Sequence, residues 1–187
     1  MIAKYKNRKY ELKGKKCLLG DIKEKDLPKF VRWFSDKDVS RYLSVDFSNF
    51  TLKKEKKWYE DTKKDKTVIT FGIYALEKNR KKLIGSTGLK YIDLYNKKAE
   101  FGVGIGDKKY WGKGIGTETT KLMIAFGFKV LGLNSIYLLV FSKNKAGQKA
   151  YKKVGFKKTG LLRQHVRYKK GYDNVYLMSI LKKEWKK

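Results

Sequence analysis

The stretch from residue 99 to residue 130 constrains the fold most, because it joins an alternating strand pattern to a helical pattern. Apolar residues at every second position from Ala99 to Ile105 alternate with Glu100, Gly102 and Gly104. Successive side chains of a strand point to opposite faces, so one face is apolar and the other carries one carboxylate and bare backbone. We therefore predict a strand whose glycine face has room for a ligand.

A glycine-rich turn and an amphipathic helix follow this strand. The turn is Gly112-Lys113-Gly114-Ile115-Gly116, and apolar residues continue at helical spacing to Val130. Glycines allow left-handed dihedrals and close backbone approach. The first N–H groups of a helix lack intrahelical partners and lie at the positive end of its dipole. The turn therefore predicts a site for a phosphate or pyrophosphate.

Two common phosphate-binding motifs do not fit the spacing of these glycines. A P-loop has Ser or Thr after Gly-Lys, whereas Gly112-Lys113 is followed by Gly114. A dinucleotide fingerprint has an acidic residue about 20 positions further on, but no Asp or Glu lies between Glu118 and Asp173. A glycine turn without a ligand is the third interpretation, and this stretch alone leaves it open.

Two motifs together resemble those of the GNAT superfamily, the GCN5-related N-acetyltransferases. Gly114-Ile115-Gly116 is similar to the acyl-CoA signature Q/R-x-x-G-x-G/A, with Trp111 in place of Gln or Arg. The segment N-K-A-G-Q-K-A-Y-K-K-V-G-F, from Asn144 to Phe156, is similar to N-x-x-[AS]-x-x-x-Y-x-x-x-G-F. The resemblance extends to both ends of the chain, which are similar to the subfamily of ribosomal-protein N-terminal acetyltransferases and spermidine N-acetyltransferase.

The resemblance implies an α/β (α+β) fold of the GNAT type. Its sheet would be mixed, mostly antiparallel, built from about six to seven strands, flanked by helices and splayed at an acetyl-CoA cleft. We expect a single domain over residues 1–187, beginning with a basic lead-in at 1–16. Patterning predicts strands at 16–20, 68–76, 83–94, 99–105, 136–141, 156–162, 165–168 and 172–181. The strand at 136–141 is nearly all apolar, so we expect both of its faces to be covered. Patterning also predicts helices from Leu27, through 39–43, after the cap Thr51, from Gly114 and over 144–153, the first two forming a flap.

The resemblance also implies acetyl-CoA as the cofactor and direct attack of a primary amine on the thioester. Tyr151 occupies the position from which related enzymes protonate the coenzyme A thiolate, and simple packing is the other interpretation. Glu100 is our candidate for the base that deprotonates the amine, alternatively an exposed strand residue paired with a lysine. The expected cofactor-binding residues are Val103, Gly104 and Ile105 for the thioester carbonyl, Trp111, Gly112, Lys113, Gly114, Ile115, Gly116 and Thr117 for the pyrophosphate, and Asn144 for the pantetheine arm. Capping of the helix that it begins is the other role of Asn144, and the resemblance favours both roles at once.

The acceptor stays open between a protein N-terminus, a polyamine and an amino sugar. The net charge of +29 favours anions, including nucleotides or an RNA-bound protein such as a ribosomal subunit, although scattered lysines also suit a solvated surface. A polycation would need acids, and those near the predicted flap are Asp36, Asp38, Asp46, Glu55, Glu60 and Asp61. The alternative function is a noncatalytic nucleic-acid-binding module, which the basic and aromatic run 163–170 would serve.

Cysteine and histidine usage excludes several other classes. The single Cys17 has no partner for an intramolecular disulfide, which fits a reducing compartment, and the single His165 leaves little for a zinc site or a histidine-based triad. We therefore expect no metal. No apolar run has the length of a signal peptide or a membrane span, so we expect a cytoplasmic protein that does not enter a membrane. The strand-rich C-terminal part would suit a homodimer contact.

Overall fold

The fold is built on one mixed sheet, with helices on both of its faces. The computed structural model describes residues 10–185 except 44, 46, 48 and 79. Its strands are β1 Leu12–Lys13, β2 Cys17–Gly20, β3 Ile69–Glu77, β4 Arg80–Asp93, β5 Lys98–Ile105, β6 Ser135–Phe141, β7 Lys157–Tyr168 and β8 Gly171–Leu181. Its α-helices are α1 Leu27–Phe34, α2 Lys37–Ser40, α3 Leu52–Lys64, α4 Ile115–Lys129 and α5 Lys145–Val154.

The strand order is β1-β2-β3-β4-β5-β6-β8-β7. Only β5 and β6 run parallel among these neighbours, because α4 crosses between them, and the predicted meander of β3, β4 and β5 is confirmed. The sheet has 8 strands, one more than the upper expected number. The extra strand is β1, which lies in the expected lead-in and pairs Leu12 with Leu19.

The end of the chain contains one strand where the sequence predicted two. β7 runs from Lys157 to Tyr168 without interruption and pairs with β8 along its length. Its register shifts between Leu162 and Val166, where Gln164 adopts a φ of 47°. The predicted break between 162 and 165 is therefore an irregularity within the strand and not a turn.

The main core lies between α4 and the apolar face of the sheet. Ile73, Phe101 and Ile136 supply sheet side chains to it, and Met123 of α4 is fully buried among them. A side chain at Gly127 would lie 2.6 Å from the δ-carbon of Ile136, so this glycine lets the helix approach the strand closely. The alternation predicted for residues 99–105 thus places its apolar half in the core.

A flap formed by α1 and α3 covers part of the opposite face. Phe30 of α1 packs with Leu83 and with Tyr59 of α3, in a cluster separate from the main core. Since Tyr74 packs on this cluster and lies between Ile73 and Ala75 of the main core in β3, the two clusters lie on opposite faces of the sheet. The helix between them in the chain, α2, runs from Lys37 to Ser40, so it begins and ends earlier than the predicted 39–43.

The flap does not extend over β6. Ile136, Leu138 and Val140 of this strand are buried against α4, but Leu139 on its other face is 39% exposed. The prediction that both faces of this apolar strand are covered is therefore wrong. The reason is that the flap cluster packs on β3 and β4, through Tyr74 and Leu83, and contains no residue of β6.

Replacing Thr51 by alanine will destabilise the protein by about 1 kcal/mol, because the hydroxyl caps α3. The Thr51 side chain accepts a hydrogen bond from the Lys54 N–H at 3.3 Å, as the sequence predicted. The free energy of unfolding in urea measures this loss. Thr51→Ser keeps the acceptor oxygen and serves as the control. Equal stability of the alanine variant and the wild type would contradict the capping role.

Candidate active site

The two parallel strands diverge and leave a wedge between them. Their pairing joins Lys98 to Ser135 and ends at Glu100 and Tyr137, although β5 continues for five residues and β6 for four. Beyond that point β5 stays paired only with β4, and β6 only with β8. The facing backbone groups of residues 101–105 are therefore free of a strand partner. This is the predicted splay, and it provides an open row of peptide groups.

The glycine face of β5 is open space. A side chain added at Gly102 or Gly104 would meet no atom within 4 Å. Gly85 on the neighbouring strand differs, because a side chain there would overlap the carbonyl oxygen of Gly104. The open space above β5 is therefore a property of the wedge, because another glycine of the sheet, Gly85, is closely packed.

Glu100 lies at the closed end of the wedge, on the same face as Gly102 and Gly104. Its side chain is buried and forms an ion pair with Lys90 on β4, with 2.8 Å between the Lys90 Nζ and the Glu100 Oε1. Burial, and then the charge of Glu100, raise the pKa of Tyr137 opposite. The contact with lysine is the alternative that the sequence left open, although Glu100 is buried and not exposed. Its role as a base stays a prediction.

The turn before α4 has the geometry of an anion site. Gly112 and Gly114 adopt φ values of 73° and 81°, in the left-handed region that favours glycine. Gly114 is the N-cap of α4 and has no side chain to accept hydrogen bonds from the first turn. The N–H groups of Ile115, Gly116 and Thr117 precede the first intrahelical donor, which is the Glu118 N–H bonded to the Gly114 carbonyl. These three N–H groups therefore have no acceptor within the helix.

Lys16 is a residue of this site that the sequence reasoning missed. Its Nζ donates to the Lys113 carbonyl at 2.9 Å and lies 3.2 Å from the position of a side chain at Gly114. Glu118 holds it there, since its carboxylate accepts hydrogen bonds from the N–H groups of Lys15, Lys16 and Cys17 at 2.7 to 3.0 Å. Burial opposes ionisation of Glu118, but these donors prevail and lower its pKa.

The side chain of Trp111, which stands where the acyl-CoA signature has Gln or Arg, forms a hydrogen bond within the protein. Its indole Nε1 donates to the carbonyl of Ile105 at 2.8 Å. The single donor of this side chain is therefore used within the protein. Trp111 thus connects the glycine turn to the end of β5. In this arrangement its ring nitrogen cannot also donate a hydrogen bond to a phosphate.

Helix α5 brings Asn144 and Tyr151 to the wedge. Asn144 is the predicted N-cap, and its Oδ1 accepts from the Gly147 N–H at 2.9 Å, which leaves the amide nitrogen to donate elsewhere. The Tyr151 ring packs edge-on against Phe101, with 6.2 Å between centroids. Phe101 is the first residue of β5 past the end of pairing with β6. Burial raises the pKa of Tyr151 to about 12, so its hydroxyl keeps its proton at neutral pH.

Two buried polar residues hold the loop that precedes α5. Asp173 accepts hydrogen bonds from the Ser142 hydroxyl at 2.6 Å and the Lys143 N–H at 3.2 Å. Gln148 donates through Nε2 to the carbonyls of Phe141 and Ser142. The sequence reasoning missed both. Asp173 had a signal, since it is the only acid between Glu118 and Glu184, whereas nothing in the sequence distinguishes Gln148.

Within residues 10–185, apart from the four positions left out, no group of three His, Cys, Asp or Glu side chains could hold a metal ion. In the same part of the chain, no helix is long and apolar enough to cross a bilayer. The groups that the structure places at the wedge are backbone donors, the glycine turn, the phenol of Tyr151 and the carboxylate of Glu100.

Comparisons with known proteins agree with this arrangement. The family model described as an acetyltransferase (GNAT) domain matches residues 16–157. An uncharacterized N-acetyltransferase, p20, of Bacillus licheniformis is 30% identical over 162 residues, covering 86% of this chain and 89% of that protein. Spermidine N(1)-acetyltransferase of Escherichia coli K12 is 33% identical over 101 residues, 54% of each chain. The crystal structure of spermidine N-acetyltransferase from Vibrio cholerae with CoA and spermine superposes with a TM-score of 0.84 and 22% identity, covering 91% of this chain and 98% of that one.

Proposed function

The chain belongs to the GNAT acetyltransferase family and is an acetyl-CoA-dependent N-acetyltransferase, and from that premise we propose that it acetylates a primary amine by direct attack on the thioester. The wedge between β5 and β6 supports this proposal more than any other observation. It offers unpaired peptide groups beside open space, with an anion site at one side and a proton donor at the other.

In this proposal the protein binds its cosubstrate mainly through backbone groups. The N–H groups of residues 112–117 would hold the pyrophosphate, and the amide of Asn144 would donate to the pantetheine arm. N–H groups among residues 103–105 would stabilise the negative charge that develops on the thioester oxygen. Lys113 and Lys16 would add positive charge at the turn.

Proton transfers complete the proposed reaction. The neutral amine nitrogen forms the new bond to the acetyl carbon, and the carbon–sulfur bond breaks. Tyr151 gives its hydroxyl proton to the departing thiolate sulfur. The proton released by the amine passes to Glu100, directly or through water, or to solvent. Because Lys90 occupies the Glu100 carboxylate, this ion pair must open before Glu100 can accept the proton.

A polyamine is the acceptor that we favour. The named relatives include a spermidine N(1)-acetyltransferase, and a structural neighbour was crystallised with spermine. A protein N-terminus and an amino sugar are the other amines to be compared. The matched family is one of enzymes, so the alternative of a noncatalytic nucleic-acid-binding module gains no support from it.

A thiol-release assay tests the proposal. The protein is incubated with acetyl-CoA and with polyamines, aminoglycosides, amino sugars or peptides with free N-termini, and free coenzyme A is measured. We expect amine-dependent release with spermidine and a melting temperature that rises with acetyl-CoA concentration in a saturable manner. Absence of both effects would contradict the proposed function.

Replacing Lys113 by alanine will weaken acetyl-CoA binding about fivefold, because one cation near the pyrophosphate contributes about 1 kcal/mol. Its Nζ lies 5.3 Å from the Tyr110 ring centroid, so the charge is held beside the turn. Isothermal titration with acetyl-CoA at low and high salt measures the loss, which salt should reduce. Lys121→Ala, an exposed position further along α4, is the control and should bind normally. Equal affinities of the two variants would contradict a role for the Lys113 charge.

A further inference from the structure

Helix α3 buries a single residue among those the structure describes, and that residue is a carboxylic acid. Glu55 is 1% exposed, and the other side chains of the helix are partly or fully exposed. Its Oε1 is buried and has no hydrogen-bond partner in the part of the chain that the structure describes. A buried carboxylate without a partner costs folding free energy, since neither water nor protein compensates its lost hydration. Such a position needs an explanation other than stability.

The neighbouring acids do not share this condition. Lys108 pairs with both Asp36 and Asp38 at 2.7 and 3.2 Å, Lys63 pairs with Glu60 at 3.2 Å, and Lys57 pairs with Asp61 at 3.0 Å. Asp46 lies outside the described residues. The chain has 47 Lys and Arg residues against 18 acids, so cations are abundant. Among the described residues, Glu55 therefore has no ion-pair partner, although lysines pair with the acids around it.

The fold places Glu55 on the side of the flap that faces the sheet. It lies one helical turn before Tyr59, and residues four apart share a helix face. Tyr59 packs with Phe30 of α1, so this face of α3 is its inner one. The same α1 carries Trp33, whose ring fills the space where a side chain of Gly106 would lie, two residues beyond Gly104. The flap thus adjoins the glycine side of β5, where the wedge is open.

A cationic ligand group would supply what Glu55 lacks. Burial raises the pKa of Glu55 to about 7, so the acid changes charge near neutral pH and a nearby cation would favour its ionised form. An ammonium group donates up to three hydrogen bonds and forms its strongest ones with carboxylates. A neutral amine or a sugar hydroxyl would not compensate a buried charge to the same extent. The position therefore fits a cation.

We propose that Glu55 binds an ammonium group of the acceptor that is remote from the reacting amine, and so selects acceptors with two or more amines. The inference rests on the proposed acetyl transfer. The reacting amine must lose its proton beside β5, whereas the remote amine keeps its charge and needs an anionic partner. The cost of burying Glu55 without a partner is then recovered when the acceptor binds.

Glu55→Gln tests the proposal, because it removes the charge and keeps the shape. Glu60→Gln on the same helix is the matched control, since Glu60 is exposed and forms its ion pair with Lys63 at the surface. Each variant is assayed by thiol release with spermidine and with n-butylamine, which has no second amine. We expect Glu55→Gln to lower kcat/KM for spermidine about tenfold, to leave that for butylamine unchanged, and to leave the KM for acetyl-CoA unchanged. Glu60→Gln should alter none of these values.

The outcomes separate the inference from the function on which it rests. If Glu55→Gln shifts the melting temperature but keeps the wild-type ratio of spermidine to butylamine, Glu55 is a buried neutral acid and the inference is overturned. A wild-type enzyme that uses both amines equally well, or prefers an anionic acceptor, overturns it also. A wild-type protein that releases no thiol with any amine overturns the proposed function and this inference together.

Discussion

Tyr151→Phe will lower kcat by one to two orders of magnitude and leave the affinity for acetyl-CoA nearly unchanged. The substitution removes only the hydroxyl, and the ring can keep its contacts with Phe101 and Phe156 at 6.2 and 6.0 Å between centroids. Loss of a positioned general acid costs about 100-fold or more in typical enzymes. The departing thiolate would then leave unprotonated, which raises the barrier without weakening cosubstrate binding.

The pH dependence adds a second test of the same hydroxyl. An ordinary phenol has a pKa of about 10, but burial raises the pKa of Tyr151 to about 12. The acid therefore stays protonated through the usual assay range, and kcat of the wild type should not fall with Tyr151 ionisation up to about pH 10. Tyr172→Phe is the control, because Tyr172 is 60% exposed on β8. A kcat of Tyr151→Phe equal to that of the wild type would show that the thiolate leaves without this residue.

Gly104→Val will reduce acetyl transfer at least 100-fold and leave the protein folded. A side chain at this position meets no atom within 4 Å, and valine suits strands, so the core and the sheet need not move. The new methyl groups would occupy the space above β5 where the acetyl group and the amine must meet. A displacement of about 1 Å at a reacting centre already costs about 100-fold in rate.

Melting temperature and thiol release, measured on the same sample, check this prediction. Gly160→Ala on β7 is the control, since its added carbon would make ordinary contact with Leu177 at 3.5 Å, far along the sheet order from the wedge. We expect wild-type activity from the control and a wild-type melting temperature from both variants. Wild-type kcat/KM in Gly104→Val would mean that the reaction takes place elsewhere.

Sequence patterns correctly predicted the features that depend on neighbouring residues, such as the faces of a strand and the ends of a helix. The alternation in residues 99–105 assigned the faces of β5 correctly, and Asn144 caps α5 as its residue type indicates. Gly155 ends that helix with a φ of 107°, which is the left-handed cap expected there. Each of these features depends on residues within a few positions of one another, so a single sequence contains the required information.

Features set by strand register and helix packing were not accessible in the same way. Glu100 faces Lys90 because β4 and β5 align at that point, and nothing in either segment states the alignment. The indole of Trp111 reaches Ile105 only once the turn has folded. Glu55 stands in the segment LKKEKKWYEDTKK, whose charges suggest a solvated helix, yet Glu55 is buried in the folded protein.

The parallel strands separate after Glu100 and Tyr137, and this has a consequence for how such an enzyme can diverge. In the proposed site the acyl carrier is held mainly by peptide N–H groups, and these donors persist when neighbouring side chains mutate, provided that the glycines of the turn and of β5 are kept. The proposed acceptor-binding residue, Glu55, is by contrast a side chain of the flap, which is a separate layer of helices. New acceptors can therefore arise by rebuilding that layer alone, while the chemistry beneath it is inherited intact.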